Sequence, residues 1–155
     1  MAEINKEGLR KFILDASRAT YASGDSSLRK KQEDGSTTIE FEDSGYKFHD
    51  NYFGGEPYGG REVIFLNGKS IWMMVYYGLV HPGTEAKEVY PFLTESLSQA
   101  TLEMPYRGPA VYEKGLWKYE NELKGDLESL SGTERIKNQN KVVYEASYIG
   151  GLIDQ

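Results

Sequence analysis

Two stretches of this chain match each other, and that constrains its architecture more than any single motif. Glu, Ile, Lys, Tyr and Gly at positions 62, 64, 69, 76 and 78 recur at 134, 136, 141, 148 and 150, a constant shift of 72. Upstream, Gly45 to Phe48 pairs with Leu116 to Tyr119 at a shift of 71, and Phe12 to Thr20 resembles Phe92 to Thr101 at a shift near 80. Self-similarity at a fixed offset signals internal repeats, but two units are too few for a solenoid. Neither half of roughly 75 residues shows an obvious core of its own, and small units bury a smaller share of their surface. The pattern therefore predicts one domain over residues 1–155, with repeat one at about 5–80 and repeat two at about 84–153. Each repeat reads as a helix followed by four strands. The fold class expected is α+β: two helix-plus-four-strand repeats in one pseudo-symmetric domain with a largely antiparallel sheet.

Local patterns supply the elements. Leu9, Phe12, Ile13, Ala16 and Ala19 lie on one helical stripe, predicting a helix over about 5–22. Residues 23–36 are rich in Ser, Gly, Asp and Lys without periodicity and read as a loop. Ile39 and Phe41 lead through Asp43-Ser44-Gly45 to Tyr46, Phe48 and Tyr52, a hairpin. Asn67-Gly68 joins Val63–Leu66 to Ile71–Tyr77 and is a strong hairpin signal, because both turn residues accept positive φ. Gln139-Asn140 occupies the corresponding turn in the second copy. A second helix is expected over about 84–102, with Pro91 opening or kinking it. The strands that follow are Ala110–Tyr112, Trp117–Leu123, Ile136 and its neighbours, and Val142–Ile149.

Comparing the copies separates two faces. Trp72, Met74 and Tyr76 match Tyr144, Ala146 and Tyr148, an apolar face that packs on the helices. The opposite face reads Ile71, Met73, Val75, Tyr77 in one copy and Val143, Glu145, Ser147, Ile149 in the other. The first copy is expected to be covered there, by the loop at 23–36, by a second subunit through Ile71, Met73 and Val75, or by a ligand.

Composition removes several function classes. Asp and Glu number 24 against 18 Lys and Arg, giving a net charge of -6 that repels phosphate backbones; no nucleic-acid partner is expected. Arg29-Lys30-Lys31 reads as a solvated loop beside Glu33 and Asp34. With no cysteine there is no disulfide, thiolate nucleophile or cysteine zinc site. Neither His49 nor His81 has a second histidine at metal spacing, so no metal is expected. Gly-x-x-x-x-Gly-Lys-Ser/Thr, Gly-x-Gly-x-x-Gly after a strand and Gly-x-Ser-x-Gly are all missing, and no cofactor is expected. No signal-peptide pattern or membrane-length apolar run is present, which makes a cytoplasmic, membrane-free protein the expectation.

What remains is carboxylates, tyrosines and arginines. The richest segment runs from Asp50 to Glu62 and holds Tyr52, Glu56, Tyr58 and Arg61 among four glycines. Glycines admit close backbone approach, Arg61 can fork onto an anion, and tyrosines offer a flat face with a polar tip. Met104 to Pro109 carries a comparable Tyr-Arg-Gly element with Arg107. A pocket is expected between residues 50–62, the strand of Tyr76 and Tyr77, and Arg107, with Glu134 and Tyr148 completing the candidates. Arg61 and Arg107 point to a polar or anionic small molecule, so the first reading is a binding or sensory module. Two alternatives stand beside it. Glu62 and Glu134 offer an acid and base for a carboxylate hydrolase, and the Ile71, Met73, Val75 face offers a structural homodimer.

Thr20 to Gly24, Tyr52 to Gly60, Gly68 to Gly78, Tyr106 to Pro109 and Tyr148 to Gly151 together resemble an uncharacterised bacterial domain family that also occurs fused behind helix-turn-helix regulators. The resemblance spans nearly the whole chain. It implies a standalone copy of that domain, since no helix-turn-helix precedes Leu9, and it implies no activity.

Overall fold

A computed structural model describes residues 3–154; the single-domain expectation for 1–155 also takes in Met1, Ala2 and Gln155, which lie outside the described residues. Helix α1 (Lys6–Ala19) begins where Asn5 accepts a hydrogen bond from the Gly8 amide at 3.0 Å. A cap of this kind contributes about 1 kcal/mol. The predicted stripe of Leu9, Phe12, Ile13 and Ala16 is buried. The helix stops at Ala19 rather than 22, and a 3-10 turn at Tyr21–Ser23 follows, closed by Gly24 at φ 72°. A second 3-10 turn, Ser26–Leu28, leads into strand β1 (Lys30–Lys31), so the expected loop carries structure of its own. Then come β2 (Thr37–Asp43), β3 (Tyr46–Phe53), β4 (Tyr58–Leu66), β5 (Lys69–Val80), helix α2 (Ala86–Leu97), β6 (Val111–Lys114), β7 (Trp117–Asp126), β8 (Ser129–Asn138) and β9 (Lys141–Leu152). Pro91 sits inside α2, which starts five residues before it.

The hairpins form where turn chemistry places them. Asn67 and Gly68 have φ of 50° and 83°, and Gln139 and Asn140 have 53° and 65°. Both pairs thus adopt the left-handed conformation that lets a two-residue turn follow the strand twist.

The expected pair of helix-plus-four-strand repeats is not the architecture. The molecule is mostly one nine-stranded antiparallel sheet in the order β1-β2-β3-β4-β5-β9-β8-β7-β6, with two α-helices against it, and it is α+β only in that broad sense. Two physical facts overturn the repeat reading. β5 and β9 pair continuously, Trp72 opposite Leu152 through Val80 opposite Tyr144, which makes the hydrogen-bonded network a single body. The core also ignores the proposed boundary. Leu9, Phe12, Phe48, Ile64 and Trp72 pack in one cluster with Tyr106, Leu127, Leu130 and Tyr148. Ala22 and Val80 join Val89, Phe92, Leu93, Tyr119, Ile136 and Tyr144 in the other.

A bulge corrects the assignment of faces. Ile64 and Phe65 lie opposite Trp72 and Ser70, leaving Ile71 as the extra residue, and it turns into the main core. One added residue reverses the side on which a strand residue points. Val75 is 46% exposed and Tyr77 53%, so they are uncovered, and residues 23–36 lie over the helix-side face instead. The described helices include none long and apolar enough to cross a membrane.

The β5–β9 seam depends on close approach at Gly150, where a Cβ would stand 2.3 Å from the Met73 carbonyl oxygen and 2.8 Å from Met74 Cα. Gly150→Ala is expected to destabilise the fold by about 1–3 kcal/mol. At Gly55 a Cβ meets nothing within 4 Å, and Gly55→Ala should stay within about 0.5 kcal/mol. Urea unfolding midpoints at unchanged slope measure both.

Candidate functional site

Strand alternation puts Asp50 and Tyr52 of β3, Glu62 of β4 and Tyr76 of β5 on the face that carries the helices. Asp50 and Glu62 are directly paired across the β3–β4 ladder, and Glu62 is paired with Met74 of β5. Opposed residues in such a ladder hold their Cβ atoms about 4.5–5.5 Å apart. Both carboxyls are buried, Glu62 with 1% exposure. Above them lies a cavity of about 850 Å³, walled by Tyr21, Tyr52, Tyr58, Tyr76 and Arg107 and closed by Tyr90, Leu93, Thr94 and Leu97 of α2.

Most polar groups around this cavity are satisfied. Tyr76 donates to Asp50 Oδ1 at 2.5 Å. Arg107 enters from the segment between α2 and β6, where its neighbour Tyr106 stacks on Trp72 with ring centroids 6.0 Å apart. The guanidinium donates from Nη2 to Glu134 Oε1 at 2.5 Å and from Nε to Oε2 at 3.2 Å, with Glu134 fully buried. Tyr119 donates to Glu134 Oε2 at 2.6 Å and Tyr144 to Oε1 at 3.0 Å. Tyr21 and Tyr76 flank the guanidinium, each ring centroid 5.6 Å from its central carbon, a favourable cation–π geometry. Tyr58 and Tyr144 share a short hydroxyl contact. Glu56 is tied down as well, accepting from the Val80 amide at 2.7 Å and from the Tyr90 hydroxyl.

Two buried atoms are exceptions. Among the described residues, Glu62 Oε1 and the Tyr21 hydroxyl find no hydrogen-bond partner, and both side chains line the cavity. The Ser17 hydroxyl donates to the Leu14 carbonyl. An unpaired buried polar atom costs about 1–3 kcal/mol, and more when charged. Protonation relieves part of this. Burial, and then the negative charge of Asp50, push the Glu62 carboxyl well above the usual range. Burial likewise raises Asp50 to about 6, against the opposing hydrogen bond from Tyr76 and charge of Arg107. The pair holds a proton near neutrality chiefly because burial penalises the charged form of each carboxyl, with the charge of Asp50 adding to the effect on Glu62.

Of the residues chosen from sequence, the cavity gathers Asp50, Tyr52, Glu56, Tyr58, Glu62, Tyr76 and Arg107. Arg61 follows Gly60 on the opposite face, in a shallow groove with Lys47 and His49. Tyr77 is exposed on that same face. Glu134 lies beneath the cavity, engaged by Arg107, and Tyr148 donates to Asn121 Oδ1 at 2.6 Å. The sequence reading missed Tyr21, Tyr90, Leu93, Thr94, Leu97, Arg29 and Lys31. For α2 a signal was present: Tyr90, Leu93, Thr94 and Leu97 share one helical face by their spacing. No group of three or more His, Asp or Glu gathers as metal ligands among the described residues.

A family model described as Domain of unknown function (DUF5680) matches residues 50–153, about two-thirds of the chain. The match opens at Asp50 and takes in Glu62, Tyr76, Arg107 and Glu134; α1, the 3-10 turns and β1 precede it. Neither a curated protein nor a solved structure matches the chain.

The raised Asp50 value fixes a sign for pH dependence. The native state binds a proton that the unfolded chain has released between pH about 4 and about 6. Stability from this group is therefore fully present below pH 4 and lost as pH rises through 6, with a slope of at most about 1.4 kcal/mol per pH unit. Asp50→Asn should gain stability relative to the wild type across that window, read as the difference between their chemical-denaturation curves at each pH. A difference that is flat between pH 4 and 6 contradicts the assignment. Truncating Arg107 to Met leaves Glu134 buried without its cation and should cost about 3–5 kcal/mol, with recovery when Glu134→Leu is added.

Proposed function

We propose a ligand class for this chain, which belongs to the DUF5680 family of domains of unknown function: its cavity binds an organic cation, an amine, amidine or guanidine, on the carboxyls of Glu62 and Asp50. One observation carries the reading. Glu62 Oε1 is a buried acceptor without a donor among the described residues, on the wall of a cavity of about 850 Å³. Its counterpart on β8, Glu134, has a guanidinium and two tyrosine hydroxyls on its oxygens. A ligand cation would give Glu62 what Arg107 gives Glu134, and the surrounding tyrosine rings suit a positive charge.

The same geometry disfavours the other small-molecule and enzymatic readings. An anionic ligand loses its two expected partners, because Arg61 faces away from the cavity and the charge of Arg107 is met by Glu134. A hydrolase pairing Glu62 with Glu134 lacks a free second carboxyl, since both Glu134 oxygens accept hydrogen bonds.

Benzamidine, neutral benzamide and anionic benzoate separate the cases in a thermal-shift titration. A cation present at 100 times its Kd stabilises by about 2.7 kcal/mol, which for a domain of this size raises Tm by roughly 5–10 °C. Benzamidine should do so, benzamide and benzoate should not, and Glu62→Gln should abolish the difference. Equal shifts from benzamidine and benzamide, or an undiminished shift in Glu62→Gln, would falsify the reading. Because Glu62 binds its proton tightly in the unliganded cavity, cation binding should also release protons near pH 7 and strengthen as pH rises. Calorimetry in buffers of different ionisation enthalpy measures that release.

A further inference from the structure

The cavity mouth carries charge opposite to its floor. The segment from the Ser26–Leu28 turn through β1 passes over the opening, and Arg29 and Lys31 line the cavity while Lys30 does not. That is the alternation of an extended chain, in which residues two apart share a face. The strap is fastened at fixed points. Lys30 and Lys31 pair with Thr38 and Thr37 of β2, the Gln32 amide donates to the Ser36 carbonyl at 2.8 Å, and Asn51 Nδ2 donates to Ser36 Oγ at 2.9 Å. Of the carboxylates flanking the strap, Asp25 accepts from Ser27 and Asp34 from Ser36, each from amide and hydroxyl, while exposed Glu33 is not part of the cavity lining. Glu56, which does line the cavity, accepts from the Val80 amide and the Tyr90 hydroxyl. Arg29 and Lys31 are exposed, and the charge of Arg29 reaches Asp50.

Two cations at the mouth repel a simple cation on its way to the carboxyls. They attract a molecule that brings its own anion. We propose that the cavity selects a small zwitterion, its cationic group on Glu62 and Asp50 at the floor and a carboxylate on Arg29 and Lys31 at the mouth. The guanidinium of Arg29 offers forked donors that fit a carboxylate in two-point contact, and Lys31 adds a point charge beside it. This assignment rests on the cation reading of the same cavity and names the other end of the ligand. An anion that stays near the mouth keeps part of its hydration, so the pairing avoids the full cost of a buried charge.

The test is a series of ω-guanidinoalkanoates with two to six methylenes, each compared by calorimetry with the alkylguanidine of the same length. One length should bind the intact protein at least tenfold more tightly than its alkylguanidine, because only a matched chain spans floor and mouth. In the double variant Arg29→Gln, Lys31→Gln that gain should disappear, while the alkylguanidine binds as well as before or better. Both substitutions are on exposed side chains outside the core, so folding is retained. If alkylguanidines bind as tightly as the acids at every length, or the double variant keeps the gain, the zwitterion assignment is wrong while the cation site stands. If no guanidinium compound of either series binds, the cation reading fails and this assignment fails with it.

Discussion

The interior is organised around the buried ion pair of Arg107 and Glu134. Removing both charges from water costs several kcal/mol per ion, and only close geometry with further hydrogen bonds offsets it. The fold supplies that geometry. Two guanidinium contacts and the hydroxyls of Tyr119 and Tyr144 complete the carboxylate, and Tyr21 and Tyr76 flank the cation. Each partner comes from a different element, so the pair is assembled only when β5, β7, β8, β9, the segment before β6 and the turn after α1 are all in place. The backbone around Arg107 is pinned too, with the Gly108 amide donating to Tyr119 and Asn121 donating to the Gly108 carbonyl.

Against that satisfied pair, the carboxyls on β3 and β4 stand out. Asp50 and Glu62 occupy the same face of the same sheet, yet among the described residues only Tyr76 donates a hydrogen bond to them. The cavity occupies the space over Glu62, bounded by the strap from Ser26 to Lys31 and by α2. A protein that needed only stability would close such a space with apolar side chains, since a partly satisfied polar interior is worse than either alternative. The unequal treatment of two similar carboxyls separates the structural part of this interior from the part available to a ligand.

Much of the fold is legible residue by residue. Asn67-Gly68 and Gln139-Asn140 declare their turns because few residues tolerate positive φ, and the α1 stripe declares its buried face by spacing. The candidate site was half legible. Asp50, Glu62, Tyr58 and Tyr76 could be picked out as chemistry-bearing residues near glycines, and they do meet. Arg61 does not join them. It is adjacent to Glu62 on one strand, and strand alternation forbids both from facing one cavity. Ile71 failed for the opposite reason, because a bulge suspends that alternation and leaves no local signature in the residues around it.

The repeat resolves along the same line. Hydrophobic period, turn residues and the positions of inward carboxyls and tyrosines are properties of short segments, and short-range sterics enforce them; the sequence by itself determined these. Which segments share a core is a long-range matter of packing. The pairing of β5 with β9, the mixing of Tyr106 and Leu127 with Leu9 and Phe12, and the path of residues 23–36 over the helix-side face follow from how apolar area is best buried by the whole chain. So does the difference between Glu62 and Glu134. Both carboxyls are written in equivalent local contexts, and only the tertiary structure decided that Arg107 would reach one and not the other, because a guanidinium with one charge completes one carboxylate at hydrogen-bonding distance.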